Sequence, residues 1–224
     1  MEESEVSKIF PNEEFGYWKI TVERPLRLKI EINNEKLENF KKVAEEAKDI
    51  AAYSLVYELY NESGKDIFYD YNDFEELLRD IANRKDEKLL SKRVKLIRKF
   101  FGTRDEEAKR VVKKVLKKQR ENALNGKFKL GNDMVEFEVD TDLRDTEQIP
   151  LNYDGGIEKF FENEVLPYAP DAWIDNGKTQ IGYEISFTKY FYKPVKLRSI
   201  DEIVADIKVL EAETDGLLNE IIGG

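Results

Sequence analysis

The chain contains no histidine and no cysteine among its 224 residues. It therefore has no imidazole base, no thiolate nucleophile and no soft zinc ligands. Glycine is also sparse, and the pair Gly155-Gly156 is neither preceded by an apolar strand nor part of a G-x-G spacing, which favours a flexible turn over a phosphate loop. These absences exclude imidazole and thiolate chemistry and leave carboxylates as the candidate catalytic groups.

Long apolar segments are missing as well. No run approaches the length that crosses a bilayer, and the N-terminus carries no signal-peptide pattern. We expect a cytoplasmic protein without a membrane partner, and the lack of cysteine agrees with that compartment.

Charge is abundant and unevenly distributed. The net charge is −10, yet residues 84–129 hold 18 Lys or Arg against 6 Asp or Glu. The string RVVKKVLKKQR (110–120) fits a helix with valines on one face and cations on the other. Two interpretations stay open for this predicted basic helix, a solvated surface and a face that contacts DNA phosphates. The residues of the second interpretation are Lys113, Lys114, Lys117, Lys118 and Arg120.

The periodicities predict an α+β fold that is mostly helical, with short strands and hairpins, several helices and a long C-terminal helix of heptad pattern. Alternating residues predict strands over 15–22 and 26–32, and Gly131-Asn132-Asp133 predicts a hairpin turn. Apolar spacing predicts helices over 34–60, 73–84, 89–101 and 154–166, the basic helix after Thr103, and a further strand over 181–192.

The C-terminal segment begins with a capping box, in which Ser199 caps the helix and Glu202 reaches back. Apolar residues then recur in steps of three and four, which predicts a packing seam against other helices. A heterologous partner, self-association and packing on the chain's own domain all remain open. The predicted contact residues are Ile203, Ile207, Leu210, Leu217 and Ile221.

Two strings are long and unusual enough to suggest a family. FGYWKITVERPLRL (15–28) and the stretch 142–198, with LRDTE, LPYAPDAWID and IGYEISFTKYFY, resemble the C-terminal region of the methyltransferase (HsdM-type) subunit of type I restriction–modification systems. The resemblance does not extend to residues 34–140. In that family the catalytic domain binds S-adenosylmethionine in a glycine-rich loop and holds a flipped adenine with an Asn-Pro-Pro-aromatic motif. Neither is present here, since no two prolines are adjacent.

The resemblance implies a non-catalytic portion of an adenine-N6 DNA methyltransferase, either an expressed fragment or a split gene product. It implies that this portion holds no cofactor or metal itself, that it assembles with the DNA-specificity subunit, and that DNA is bound in the assembled complex. The organisation expected is a strand segment that adjoins the missing catalytic domain (1–33), a helical region with the basic helix (34–130), a mixed α+β region (131–198) and a docking helix (199–224).

Two alternatives come from other classes. The carboxylates of Asp140, Asp142, Asp145 and Glu147 are close enough in sequence to suggest a metal-dependent phosphoesterase or nuclease. Carboxylates in such a connection more often cap backbone amides or pair with a neighbour such as Arg144. The other alternative is a stand-alone regulator that competes for the specificity subunit.

Overall fold

The structure is a computed structural model, and it describes residues 7–117, 119–193 and 197–222. The described chain forms two compact units, one over Pro11–Glu184 and one that takes in Ile185 onward together with the N-terminal residues up to Phe10. The fold is α+β with 45% helix, 24% strand and three antiparallel sheets in the described part.

The strands lie in the larger unit. They are β1 (Gly16–Glu23), β2 (Leu28–Glu31), β3 (Ile67–Phe68), β4 (Gly102–Arg104), β5 (Val112–Leu116), β6 (Phe128–Leu130), β7 (Asp133–Phe137), β8 (Asp145–Pro150), β9 (Trp173–Ile174) and β10 (Gln180–Tyr183). The sheet orders are β10-β1-β8 with β9 also paired to β1, β3-β2-β4, and β5-β7-β6.

The helices are spread over both units. They are α1 (Asn34–Glu46), α2 (Ile50–Ser63), α3 (Tyr71–Arg84), α4 (Ser91–Phe101), α5 (Gly156–Phe160), which continues as a π-helical turn (Phe161–Val165), α6 (Phe187–Phe191) and α7 (Ile200–Ile222). No helix in the described ranges is long and apolar enough to cross a membrane.

Helices α1 to α4 pack on the β3-β2-β4 sheet around a large aromatic core. Phe40, Phe74 and Phe101 are fully buried there together with Ile30. Burying side chains of this size stabilises the fold by roughly 2 kcal/mol each. Arg93 is buried beside this core, and its Nε donates to both carboxylate oxygens of Asp49, at 2.9 and 3.0 Å. This pair ties α4 to the start of α2.

The helix predicted over 34–60 is two helices. The chain turns between α1 and α2 at Lys48, whose φ is +55°. Asp49 N–H then donates to the Ala44 carbonyl at 2.8 Å, which closes the end of α1. The apolar stripe continues across the turn because both helices bury the same side against one core.

The prediction of a mostly helical fold is wrong, and the basic segment is the main reason. Residues 112–116 form strand β5, paired with β7, and the register shifts between Val112 and Lys114. This β-bulge places Val112 and Val115 on one face, opposite Phe137 and Val135 respectively. In this bulged strand, residues three positions apart share a face, as they do in a helix.

The heptad description of the C-terminal helix is wrong as well. Every described side chain from Ile200 to Thr214 is exposed, so none of them packs in a seam. Leu217 and Ile221 have side chains outside the described residues. The strand predicted over 181–192 is also shorter than expected, because β10 ends at Tyr183 and α6 follows.

Several local predictions are confirmed. β6 and β7 form the predicted hairpin, with Leu130 opposite Asp133 and Gly131 at a φ of +61°. The capping box is present, since Ser199 N–H donates to a Glu202 carboxylate oxygen at 2.8 Å and Glu202 N–H donates to Ser199 Oγ at 3.2 Å. In both cases the signal is carried by a few neighbouring residues.

Candidate functional site

The two unusual strings of the sequence form one sheet. β1, from the first string, pairs antiparallel with β8, β9 and β10, which all belong to the second. Trp18 is opposite Ile149 on β8 and Ile181 on β10. The stretch with no resemblance, residues 34–140, therefore lies between two segments that fold together.

A separate apolar core lies beneath this sheet. Ile20 and Val22 of β1 pack with Ile149, Ile174 and the fully buried Phe161 of the π-helical turn. Side chains on one face of a strand alternate with period two, which brings Ile20 and Val22 to the same side. The core joins residues of the first string to residues of the second.

A buried carboxylate links the same two strings. Glu23, at the end of β1, is 1% exposed, and both of its oxygens accept from Arg144 Nε at 2.9 Å. Lys178 Nζ also donates to Glu23 Oε1 at 3.1 Å. The hydrogen bond to Glu23 raises the pKa of Arg144, and Asp175 followed by Glu23 raises the pKa of Lys178. Both cations therefore stay charged beside the carboxylate.

Asp171 makes a second link. Its two oxygens accept from Arg24 Nε at 3.0 Å and from Arg27 Nη2 at 3.2 Å. Arg27 Nη1 also donates to the Ala108 carbonyl at 3.0 Å. Arg110 lies over the Phe137 ring, 4.2 Å from its centroid, and burial followed by the nearby Arg27 lowers the pKa of Arg110.

A cleft of about 590 Å³ lies beside Asp171. Its walls include Arg24 and Arg27 with Asp171, and Arg104 with Asp140. Each of these carboxylates forms an ion pair with at least one arginine, and each of these arginines forms an ion pair with a carboxylate. The pairing indicates that these groups hold chain segments together.

The carboxylates suggested as a metal site do not converge. Asp140 is buried, with Arg104 Nη2 at 3.0 Å, and it accepts from the backbone amide of Asp142 at 3.0 Å. Asp142 also pairs with Arg104. Asp145 and Glu147 lie in β8, where burial, followed by Asp145, raises the pKa of Glu147. Among the described residues no group of three or more acidic side chains is arranged to hold a metal ion.

The glycine pair offers no cofactor loop. Gly155 and Gly156 have φ values of +81° and +65°; Gly155 lies in the turn after β8, and Gly156 is the first residue of α5. The preceding strand is largely exposed and antiparallel to its neighbour, unlike the buried parallel strand of a nucleotide-binding unit.

The predicted phosphate-contacting lysines do not share a helix face. Lys113 and Lys114 are exposed on β5, and Lys114 pairs with Glu136 at 3.1 Å. Lys117 follows the strand and Arg120 lies in an irregular segment, both exposed, whereas Lys118 lies outside the described residues.

The predicted partner-binding residues lie on α7. Ile203, Ile207 and Leu210 are 43%, 50% and 61% exposed. Their spacing of four and three residues sets them along one side of the helix. They form an apolar row that is about half exposed.

Sequence reasoning missed the charged pairs Glu23–Arg144 and Arg24–Asp171. For Arg24–Asp171 the available signal was the net charge of the two strings, since VERPLR is net positive and LPYAPDAWID is net negative. Comparison with models of known protein families, with curated proteins and with solved structures found no match to this chain.

Proposed function

We propose that this chain is the non-catalytic C-terminal portion of a type I restriction–modification methyltransferase subunit of the HsdM type. Its role is to assemble that subunit with the DNA-specificity subunit. Methylation of adenine, and the S-adenosylmethionine that it consumes, belong to the catalytic part of the full subunit. The assembled enzyme acts on DNA in the cytoplasm.

One observation carries this proposal. The two strings that resemble the family are separated in sequence by residues 29–141, and they form a single sheet with its own core. Their charged residues pair with each other, Glu23 with Arg144 and Arg24 with Asp171. The two strings therefore fold as one structural unit, which agrees with an origin in a common domain.

The role in assembly is supported by the row Ile203, Ile207 and Leu210 on α7. Exposed apolar residues on one side of a helix are the arrangement by which a helix enters the groove of a partner. Burying each of these side chains on docking contributes about 1.5 to 3 kcal/mol, less the cost of ordering.

The test measures binding of the full chain to a DNA-specificity subunit from the same source, by calorimetry. We expect replacement of Ile203 and Ile207 by Ser to weaken binding by about 30-fold or more, since a loss of about 2 kcal/mol in binding free energy corresponds to that factor. The matched control replaces Lys208 and Glu211 by Ser on the same helix, which leaves the net charge and the apolar row unchanged. Truncation before Ser199 is expected to abolish binding.

Equal affinities for the Ile203 and Ile207 double variant and for its control would move the interface away from this row. Absence of binding by the unmodified chain would overturn the assembly role. Saturable heat with Mg²⁺ or Mn²⁺, together with hydrolysis of a phosphodiester, would favour the metal-dependent alternative instead.

A further inference from the structure

The exposed side of α4 carries a ridge of three lysines. Lys92, Lys95 and Lys99 are all exposed, and their spacing of three and four residues aligns them along one side of the helix. The opposite side bears Arg93, Ile97 and Phe101, which are buried. At 1.5 Å per residue the ridge is roughly 10 Å long.

The ridge has no carboxylate partner in the described chain. Of the cations on α4, Arg93 pairs with Asp49 and Arg98 with Glu138, whereas no ion pair involves Lys92, Lys95 or Lys99 among the described residues. α4 itself contains no acidic residue. Three lysines without an ion-pair partner in the described part of the chain therefore face solvent together.

The surrounding sequence is unusual for this protein. Residues 88–104 contain seven Lys or Arg and no Asp or Glu. The rest of the chain therefore holds 30 of its 37 cations against all 47 acidic residues. A cationic ridge on a chain that is otherwise strongly acidic concentrates positive potential at one place.

The side chains around the ridge favour one class of polyanion over the others. Single-stranded nucleic acid is bound by aromatic platforms as well as charge, but the α4 aromatics pack inward, with Phe100 5.0 Å and Phe101 4.8 Å from Phe40 between ring centroids. A membrane surface takes a helix whose apolar face is free to insert, and here Ile97 and Phe101 are buried in the core. A duplex backbone requires cations alone.

We propose that Lys92, Lys95 and Lys99 contact the phosphate backbone of double-stranded nucleic acid, without sequence preference. The flexible lysine side chains reach successive phosphates as point charges. The contact uses α4 and does not depend on the specificity subunit or on α7.

The experiment follows binding of the full chain to a labelled duplex of about 30 base pairs by fluorescence anisotropy, from about 50 to about 200 mM salt. In the triple variant K92Q/K95Q/K99Q the slope of log affinity against log salt is expected to fall by about 3, one for each lysine. Over that range the unmodified chain then loses roughly 60-fold more affinity than the variant. K92R/K95R/K99R is expected to retain the slope.

The matched control is K19Q/K42Q/K208Q, which makes the same charge change at three exposed lysines elsewhere and is expected to lower the slope by less than about 1. Thermal melting of all variants checks that the fold is intact. Equal slopes for the two glutamine variants would overturn the proposal. So would failure of the unmodified chain to bind duplex at low salt, or binding to vesicles of anionic lipid in place of duplex.

Truncation before Ser199 is expected to leave the duplex slope unchanged. A truncated chain that binds duplex but not the specificity subunit would support both proposals separately. If the unmodified chain binds the specificity subunit and not duplex, only the ridge proposal fails.

Discussion

Glu23 and Arg144 are 121 positions apart and form an ion pair between a buried carboxylate and an exposed guanidinium, whose Nε lies 2.9 Å from both carboxylate oxygens. Glu23 is the last residue of β1. Arg144 directly precedes β8, the strand that pairs with β1. The pair fixes the end of the β1–β8 ladder, because each charge has its partner on the adjoining segment.

Replacing Glu23 by Gln keeps the shape of the side chain and removes its charge. We expect the free energy of unfolding to fall by about 2 kcal/mol, since Arg144 and Lys178 lose their shared counterion beside a buried site. Urea denaturation measures the change. The control is Glu162→Gln, whose pair with Lys159 is exposed and should contribute less than about 1 kcal/mol. Similar losses for the two variants would contradict a special role for Glu23.

Gly102 joins α4 to β4 where no side chain fits. A Cβ atom at this position would lie 2.5 Å from the Arg98 carbonyl oxygen, which is backbone and cannot turn away. We expect Gly102→Ala to destabilise the protein by about 2 kcal/mol. Gly177→Ala is the control, because its Cβ meets only the Asp175 carboxylate, at 3.3 Å, and should change stability by about 1 kcal/mol or less. Thermal melting compares them, and equal shifts would count against the clash.

Asp70 caps α3 by accepting from the Asn72 amide at 2.9 Å, and it pairs with Lys109 at 2.8 Å. Burial opposes its ionisation, but Lys109 and the amides of Asp73 and Asn72 outweigh this and lower the pKa of Asp70 below 3.8. The stabilisation is therefore complete above pH 3.8 and is lost as pH falls through the lower folded value.

Asn at position 70 retains the cap and cannot titrate. We expect Asp70→Asn to flatten the acid side of the stability curve, measured by urea denaturation between about pH 5 and about pH 3. The two proteins should approach each other in stability as the pH falls. Parallel curves would show that Asp70 contributes nothing to the acid sensitivity.

The capping box at Ser199 should protect the first turn of α7. Ser199→Ala removes the hydroxyl that accepts from Glu202 N–H, and the helix start is expected to lose about 1 kcal/mol. Faster amide hydrogen exchange in the first turn of α7 would report this loss. Ser199→Asp keeps an acceptor and should exchange like the unmodified chain; unchanged exchange in the alanine variant would contradict the cap.

Local sequence signals predicted much of the secondary structure. The alternation around Pro25 predicted two strand pieces, which are β1 and β2, and the α3 and α4 stripes predicted helices within two residues of their starts. Each of these signals depends on contacts inside one short segment, so neighbouring residues were sufficient to detect it.

The basic segment could not be assigned in this way. Val112 and Val115 are three residues apart, which fits a helix, and the same spacing arises in a bulged strand. The choice depends on β7, whose Phe137 and Val135 provide the partner backbone and the buried face. Because β7 lies more than 15 residues further along the chain, a local sequence pattern does not include it.

The amino-acid sequence by itself determined the turns, the caps and the amphipathic stripes, and it excluded imidazole and thiolate chemistry, because these depend on residue identity and near neighbours. Only the tertiary structure decided that β1 pairs with β8, β9 and β10, that Glu23 and Asp171 join the two strings, and that Lys92, Lys95 and Lys99 have no ion-pair partner among the described residues. These properties depend on which distant groups come within a few ångströms of each other, and burial of the shared core sets that outcome.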